Sequence, residues 1–327
     1  MLNVGVIGVG SMGKNHARVC SEIEDINLIG VSDVDKKVSK NLASRLRTKS
    51  YSNYKELISE IDAAIVATPT NTHYDIALEL LENGKHVLVE KPICDNIKKA
   101  NSLLTHSEDQ DLVLAVGHIE RHNPAVNFVK ENLETNRFGD LITITSKRVS
   151  DFPVRINDVG VIFDFGVHDI DVMRYLSGEV VSVYAKAGKY KDNIDFEDHA
   201  NIILNFENGI TGVIEVNWLT PIKIRKLFLT CSKNFVEADY IAQSLTISSS
   251  SFKDIDEMNL FKTRIQYNIE KVSIEKKEPL KNEIEDFVSA INNHKKPLVT
   301  AKDGLMAIKI AEASIKSNLE DREIEIK

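Results

Sequence analysis

Cysteine is scarce in this chain and occurs three times, at Cys20, Cys94 and Cys231. An odd number of cysteines, with none of the spacings of a metal site, predicts no metal centre and favours a reducing, cytoplasmic location. Long apolar runs are missing as well, since none approaches the ~20 residues that a membrane span requires. The opening residues also lack the basic and then apolar pattern of a secretion signal. We therefore expect a cytoplasmic protein without a membrane partner.

An excess of positive charge is the next absence. The chain has 41 Lys and Arg against 49 Asp and Glu, a formal net charge of −8 at pH 7. This balance argues against a general nucleic-acid-binding surface. The apolar fraction of 43% and the charged fraction of 28% are typical of a folded globular protein. At 327 residues the chain is too long for one typical core and suits two domains.

The amino-terminal residues carry the most informative pattern. A short apolar run, Val4–Ile7, leads into Gly8-Val9-Gly10-Ser11-Met12-Gly13, and Asp33 follows the next apolar run. This order of strand, glycine turn, helix, strand and acid is typical of a dinucleotide-binding βαβ unit. The first glycine permits a tight turn, the second lets the backbone approach a pyrophosphate, and the third lets helix and strand pack closely. The N–H groups at the start of the helix then hold the phosphate charge.

Asp33 indicates which dinucleotide binds. Its carboxylate can accept hydrogen bonds from the ribose hydroxyls of the adenosine, and its charge repels a 2′-phosphate. NAD is therefore favoured over NADP. Lys36 and Lys37 lie close enough along the chain to keep NADP possible.

Strands and helices alternate up to Gly117, which predicts a doubly wound parallel sheet, the Rossmann type of α/β domain. Ligands of such sheets bind beyond the carboxyl ends of the strands, where the loops 68–73 and 90–92 are expected. Later segments are rich in β pattern and predict an α+β domain with a largely antiparallel open sheet. We place the NAD-binding domain at 1–118 and a substrate-binding and oligomerisation domain at 119–327, with the last helix able to pack back on the first domain.

Local patterns place further elements. Helices are expected over His73–Asn83 and Gly166–Leu176. The polar segment Asp254–Lys277 predicts a poorly ordered loop or a strand at an edge. The strand Thr211–Trp218 has apolar side chains on both faces, so burial of the open sheet face in a homo-oligomer, a dimer or a tetramer, is expected.

Two sets of residues could carry chemistry. Lys91 directly follows the strand Val87–Glu90, so it is expected at the ligand edge of the sheet, where it can donate to a substrate hydroxyl or exchange a proton with it. Pro92 makes a cis peptide possible at this point. Asp164 and His168 lie four residues apart and face the same way around a helix start. An aspartate favours the charged form of a neighbouring histidine. A neutral histidine in this position therefore accepts a hydroxyl proton more readily as hydride leaves the same carbon.

The segment His118-Ile119-Glu120-Arg121-His122 resembles a metal site only superficially, because it follows a strand and lacks the HExxH order of zinc enzymes. We reject a metal and place Glu120 and Arg121 in the active-site crevice instead. Arg148 and Arg155 belong to a basic group whose guanidinium forks suit a diphosphate or a carboxylate.

With these motifs in place, the chain resembles the glucose-fructose oxidoreductase/inositol dehydrogenase/MocA family over nearly its whole length. The motifs that carry the resemblance are the glycine turn, Thr68-Pro69, Glu90-Lys91-Pro92, Gly117-His118 and the run 164–171. The resemblance implies NAD(P) in the first domain and a sugar or cyclitol substrate against the sheet of the second. It also implies Lys91 and His168 as the catalytic pair, with Asp164 as the partner of the histidine.

Within the family, the runs 117–124, 158–161, 166–176 and 212–221 resemble enzymes that oxidise the 3-hydroxyl of UDP-N-acetylglucosamine. We therefore predict an NAD-dependent dehydrogenase that converts this sugar nucleotide, or a close UDP-amino sugar, to its 3-keto form. One alternative is a dehydrogenase of a free sugar or inositol, and another is a non-catalytic NAD-binding regulator on the same fold. Whether Lys91 or His168 is the base stays open.

The predicted contacts complete this hypothesis. Those to NAD are Gly8, Gly10, Ser11, Met12, Gly13, Asp33, Thr68, Pro69, Asn71, His73 and Glu90. Those to the substrate are Glu120, Arg121, Asn123, Arg148, Arg155 and Asn157. The partner is a small sugar nucleotide, with no nucleic acid involved.

Overall fold

The computed structural model describes residues 1–152, 159–192, 194–254, 258 and 264–326. The chain forms two compact units. The first combines Met1–His122 with Lys277–Lys309, and the second combines Asn123–Lys276 with Ile310–Lys327. The sequence predicts one division after residue 118, whereas in these units residues 277–309 group with the amino-terminal part.

The first unit is built on a parallel sheet of six strands in the order β3-β2-β1-β4-β5-β6. The strands are β1 (Leu2–Ile7), β2 (Ile26–Ser32), β3 (Lys49–Tyr51), β4 (Ala63–Val66), β5 (His86–Glu90) and β6 (Leu114–Gly117). The strand order reverses direction between β1 and β4, which is the switch point where sheets of this kind bind ligands.

Helices connect these strands and extend the unit. The connecting helices are α1 (Gly13–Glu22), α2 (Lys36–Leu46), α3 (Lys55–Ile58), α4 (Thr70–Glu82) and α5 (Ile97–Asp109). A 3₁₀ turn, Ile119–His122, follows β6, and the later helix α8 (Pro279–Asn292) packs against both this turn and α1. Apolar side chains of α1, the sheet and α8 share one buried core.

The predicted strands of this unit correspond to β1, β2, β4, β5 and β6, and the doubly wound α/β fold is confirmed. The three-residue β3 was outside the prediction, because Lys49–Tyr51 is too short and polar to give a strand pattern. The predicted start of α4 at His73 is wrong, since the helix begins at Thr70. The Thr72 N–H donates to the Pro69 carbonyl at 2.9 Å, so the expected loop already belongs to the first helical turn.

The second unit contains a nine-stranded sheet in the order β14-β13-β12-β11-β7-β10-β9-β8-β15. Among the described pairs only β10 and β7 run parallel, so the sheet is largely antiparallel as predicted. The strands are β7 (Leu141–Asp151), β8 (Val180–Gly188), β9 (His199–Phe206), β10 (Thr211–Asn217), β11 (Leu219–Cys231), β12 (Phe235–Asp239), β13 (Ser244–Asp254), β14 (Arg264–Ser273) and β15 (Ile324–Glu325).

Helices of this unit cover one face of the sheet. They are α6 (Pro124–Glu134), which contacts β12, and α7 (Val167–Ser177), which contacts β7 and β10. On β10, Ile214 and Val216 are buried toward the core, and Trp218 beyond its end is buried as well. The last long helix, α9 (Ala301–Glu320), is divided between the units after Lys309.

Two segments of the second unit refine the prediction. A π-helical turn, Ile162–Gly166, precedes α7, so helical backbone begins before the predicted Gly166. β14 lies at one end of the sheet order, which confirms an edge strand within the segment 254–277.

All three cysteines are buried. Burial raises the pKa of the Cys20 thiol to about 12 and that of the Cys231 thiol to about 11. Among the described residues, no group of acidic, histidine or cysteine side chains could hold a metal ion. The described part of the chain also contains no helix long and apolar enough to cross a membrane.

Candidate active site

The glycine loop between β1 and α1 has the geometry that the three glycines predict. Gly8 adopts a positive φ of 82°, and a Cβ on it would meet the Ala67 carbonyl oxygen at 2.7 Å, so the loops after β1 and β4 are adjacent. A Cβ on Gly13 would lie 1.8 Å from the Gly8 carbonyl oxygen, which only glycine avoids. A Cβ on exposed Gly10 would meet no atom within 4 Å. The loop therefore keeps open backbone at the start of α1, as a bound pyrophosphate requires.

Ser11 is exposed in this loop, whereas Met12 occupies the N-cap of α1 and packs, partly buried, against the core of the unit. Asp33 reaches the loop from the end of β2. Its Oδ2 accepts a hydrogen bond from the Val9 N–H at 2.8 Å, and its Oδ1 accepts one from the Asp35 N–H at 2.8 Å. A carboxylate has about four acceptor positions, so two remain for ribose hydroxyls. The residues present thus fit a dinucleotide.

The loop after β4 is tied to the loop after β5 by His73. This side chain is 1% exposed, with Nδ1 at 2.9 Å from the Pro92 carbonyl and Nε2 at 2.9 Å from the Thr68 carbonyl. Burial lowers the pKa of His73 by more than the two carbonyls raise it. The ring is therefore neutral near pH 7 and donates to one carbonyl at a time. Both nitrogens face the protein, so we assign His73 the role of positioning the two loops.

The remaining predicted cofactor residues of this edge differ in exposure. Pro69 and Asn71 are exposed, and Asn71 lies in the first turn of α4. The Thr68 hydroxyl accepts a hydrogen bond from the Thr72 hydroxyl at 2.8 Å. These residues follow β4 at the switch point, where the second half of a dinucleotide is expected.

Lys91 lies at the carboxyl end of β5, and the Lys91–Pro92 peptide is cis. The preceding Glu90 links this point to α1: its Oε1 lies 2.8 Å from His16 Nε2, and its Oε2 accepts the Lys91 N–H at 3.2 Å. Burial opposes ionisation of Glu90, but the His16 hydrogen bond and the charges of His16 and Lys91 outweigh it and lower the pKa. A carboxylate therefore lies against the backbone N–H of the candidate catalytic lysine.

The substrate residues predicted near the end of β6 are engaged inside the protein. Arg121 is buried, and its guanidinium donates to Asp303 Oδ1 at 3.0 Å and to the Leu298 carbonyl at 3.3 Å. Glu120 is buried beside it in the same 3₁₀ turn. These contacts join the turn to residues 277–309 of the same unit and indicate a supporting role.

In the second unit, Asn123 and Arg148 are also committed to internal contacts. Asn123 caps α6 by accepting the Ala125 N–H at 3.1 Å and donates to the Tyr240 carbonyl at 3.1 Å. Arg148 is 1% exposed, and its Nε donates to Asp169 at 2.7 Å. A guanidinium buried in an ion pair is not placed to contact a phosphate, which corrects the prediction for Arg148.

Asp164 and His168 lie at the start of the helical segment of this unit. Asp164 is buried within the π-helical turn, and His168 follows in the first turn of α7. Arg155 and Asn157, the other predicted substrate contacts, lie outside the described residues.

Sequence reasoning missed two buried ionisable residues of the first unit, His16 and Glu283. Both lie on apolar helix faces, His16 beside Ala17 and Cys20, and Glu283 beside Ile284. A charged residue on an otherwise apolar stripe was the signal that could have found them.

Comparisons with known proteins agree with this geometry. The family model described as "Oxidoreductase family, NAD-binding Rossmann fold" of the GFO/IDH/MocA group matches residues 2–118, and the GFO/IDH/MocA C-terminal domain matches residues 126–237. UDP-N-acetylglucosamine 3-dehydrogenase of Acidithiobacillus ferrooxidans is 28% identical over 90% of each chain. A solved structure of that enzyme is similar with a TM-score of 0.85 and 27% identity over 97% of each chain.

Other relatives act on cyclitols by their names. Inositol 2-dehydrogenase of Rhizobium meliloti is 29% identical over 98% of each chain, and myo-inositol 2-dehydrogenase of Thermotoga maritima is 26% identical over 99% of this chain and 98% of its own. The glycine loop, the Asp33 contacts and the two family matches lead to one conclusion. The chain belongs to the GFO/IDH/MocA family of oxidoreductases and is an NAD-dependent dehydrogenase acting on CH–OH groups.

Proposed function

We propose that this protein oxidises the 3-hydroxyl of UDP-N-acetylglucosamine, or of a close UDP-amino sugar, to the ketone. The observation that carries the dehydrogenase chemistry is the position of Lys91, which follows β5 at the carboxyl edge of the sheet, in the unit that holds the glycine loop. The choice of substrate is supported by the 28% identity with the A. ferrooxidans enzyme over 90% of both chains.

In the proposed mechanism, side chains of the protein transfer the proton and stabilise the charge. NAD, when bound, accepts the hydride from the substrate carbon. Lys91 donates a hydrogen bond to the hydroxyl oxygen or takes its proton, and the preceding Glu90 supplies the countercharge. His168, oriented by Asp164, is the alternative acceptor of the same proton. Both assignments leave one proton on the protein for each hydride transferred.

Contacts to the nucleotide are proposed on a reduced set of residues. Arg155 remains the candidate for the diphosphate, because Arg148 is buried in its pair with Asp169. Asn157 is the proposed neighbouring donor to the sugar nucleotide.

A free cyclitol is the second candidate substrate, favoured by the 29% identity with the R. meliloti inositol dehydrogenase. Formation of NADH, measured with purified protein and NAD against UDP-N-acetylglucosamine and against myo-inositol, separates the two. Turnover of the UDP-sugar and not of inositol supports the proposal, and the reverse preference contradicts it.

Two alanine variants test the catalytic pair. Because removal of a positioned acid–base group costs about 10²–10⁴ in rate, Lys91→Ala and His168→Ala are each expected to lose that much in kcat while NAD still binds. Lys98→Ala, an exposed lysine on α5, serves as the matched control and is expected to keep its activity. Turnover close to that of the unaltered protein in either test variant contradicts the assignment.

We also propose that the protein is a homo-oligomer assembled through the open face of the nine-stranded sheet. Strand register places Ile203, Val213, Thr145 and Phe228 in one row across β9, β10, β7 and β11. Ile203 is 38% exposed, and Phe228 stacks on the half-exposed Phe235 at 6.3 Å between ring centroids. Apolar side chains on a half-exposed sheet face are typical of a surface that a second subunit covers.

A further inference from the structure

Glu283 is a carboxyl group buried inside the first unit. It lies on the inner face of α8, is 2% exposed, and neither of its oxygens has a hydrogen-bond partner among the described residues. Glutamate is almost never fully buried unless it is paired, because desolvation of its charge is costly. An unpaired buried glutamate therefore calls for a physical account.

The helix packed against α8 contains another buried polar atom that lacks a hydrogen-bond partner among the described residues. α1 contacts α8, and its His16 is completely buried, with Nδ1 lacking a hydrogen-bond partner in the described structure. The other ring nitrogen, Nε2, lies 2.8 Å from Glu90 Oε1. Because an ionised carboxylate only accepts, Nε2 carries the proton in this pair.

The charges around Glu283 decide which form it takes. Burial raises its pKa well above the ordinary value, and the negative charges of Glu90 and Asp286 act in the same direction. Asp286 is engaged by the Leu298 N–H at 2.7 Å. The 3₁₀ turn that packs on α8 contributes Glu120, Arg121 and His122, of which Arg121 pairs with Asp303. Burial and the two neighbouring carboxylates of the described structure thus all favour the neutral form of Glu283.

The pKa values of two interacting carboxyl groups, Glu90 and Glu283, are thus shifted in opposite directions. His16 and Lys91 lower the pKa of Glu90, whereas burial and the charges of Glu90 and Asp286 raise that of Glu283. Environments that separate the protonation of neighbouring carboxyls are characteristic of functional sites. Glu90 accepts the Lys91 backbone N–H, and the charge of Lys91 acts on its carboxylate, so a change in the charges around Glu90 also acts on the lysine.

We propose that Glu283 is a neutral carboxylic acid that, together with His16 and Glu90, keeps a single negative charge next to Lys91 and so acts as a positioning residue for the reaction. This inference rests on the role proposed above for Lys91. A neutral Glu283 keeps one countercharge at Glu90, and ionisation of Glu283 adds a second. Substrate oxidation then depends on a titration that lies outside the groups in contact with the substrate.

The test compares Glu283→Gln, which keeps the size and a neutral donor but cannot ionise, with Glu285→Gln, an exposed glutamate on the same helix. Infrared difference spectra at neutral pH are expected to show that Glu283→Gln removes the carbonyl stretch of one protonated carboxylic acid and that Glu285→Gln removes none. If both variants leave this band unchanged, Glu283 is ionised and the inference is overturned.

Stability against pH gives an independent reading of the same proton. A carboxyl that is neutral when folded and ionises when unfolded makes the folded state less stable as pH rises above about 4.3, the ordinary pKa of glutamate. The destabilisation grows by up to about tenfold in the unfolding constant per pH unit until the folded-state pKa is reached. Glu283→Gln is expected to lack this dependence, so its free energy of unfolding should increase relative to that of the unaltered protein as pH rises. Parallel curves contradict the proposal.

The kinetic arm tests the positioning role itself. At neutral pH, Glu283→Gln is expected to keep kcat within about threefold and an unchanged NAD affinity, since its charge matches that of the neutral acid. On the alkaline side, its pH profile is expected to differ from that of the unaltered protein by about one pH unit or more. A lost infrared band with superimposable pH profiles overturns the inference. Absence of turnover on every substrate instead defeats the proposed function, while the infrared and stability arms still decide the state of Glu283.

Discussion

At the scale of single residues, Asp33 is the group that connects cofactor choice to loop geometry. One carboxylate oxygen holds the Val9 N–H of the glycine loop, and the other holds the Asp35 N–H. The amide of Asp33→Asn can keep the loop contact but loses the negative charge. Hydrogen bonds to a charged group contribute about 1.5–3 kcal/mol, so we expect kcat/KM for NAD to fall by about tenfold or more.

The same substitution should favour NADP relative to NAD, because the repulsion of a 2′-phosphate disappears and the exposed Lys36 and Lys37 follow closely. Steady-state kinetics with both cofactors measure the ratio. Asp35→Asn, which alters the neighbouring N-cap of α2, is the control expected to leave the ratio unchanged. An unaltered preference in Asp33→Asn would show that the carboxylate does not select the cofactor.

At the scale of elements, the junction of β1 and α1 separates a folding role from a binding role. A Cβ on Gly13 would lie 1.8 Å from the Gly8 carbonyl oxygen, and backbone cannot yield as a flexible side chain does. Gly13→Ala should therefore destabilise the protein by about 1–3 kcal/mol or more, seen as a lower midpoint of chemical unfolding. Gly10→Ala adds its methyl to open space. It should leave the unfolding midpoint unchanged while weakening NAD binding.

The two glycine variants are controls for each other. Equal effects on stability in both, or an unchanged NAD affinity in Gly10→Ala by titration calorimetry, would contradict the assignment of the loop. The comparison also separates the phosphate-binding backbone from the packing of the helix beneath it.

These elements also explain what could be predicted from the sequence. The strands of the first unit are continuous apolar runs bounded by turns, so their pattern identified β1, β2, β4, β5 and β6. The start of α4 at Thr70 was not predicted, because the sequence has no usual N-cap residue directly before it. The Thr72 hydroxyl instead lies within hydrogen-bond distance of the Pro69 carbonyl and the Thr68 hydroxyl. Motif spacing located Gly8, Asp33 and Lys91. Motif spacing did not identify His16 and Glu283, because neither belongs to a motif and only the apolar residues around them on α1 and α8 mark them as buried.

The burial of individual polar side chains could not be predicted from the sequence either. Arg148 lies in the buried row of β7 with Ile144 and Ser146, and it pairs there with Asp169 of another element. A one-residue change of strand register would have placed the same side chain on the open face. The predicted phosphate contact of Arg148 is therefore wrong because a residue distant in sequence, Asp169, decides the orientation of its side chain.

At the scale of the whole molecule, the open face of the nine-stranded sheet predicts assembly. Light scattering at micromolar concentration should give a dimer or a tetramer. Ile203→Asp places a charge within the exposed apolar row, so desolvation of that charge should shift the protein toward a monomer. Leu319→Asp, an exposed apolar position on α9, should leave the mass unchanged. A monodisperse monomer of the unaltered protein would rule out the proposed interface.

The burial of every cysteine has a practical consequence. Cys20, Cys94 and Cys231 all lie inside the protein, and burial raises the pKa of the Cys20 thiol to about 12 and that of the Cys231 thiol to about 11. A maleimide dye therefore finds no ready target on the native molecule. A single cysteine engineered at an exposed position can be labelled without first removing the natural ones. Fluorescence reporters of ligand binding can be built on the unaltered background.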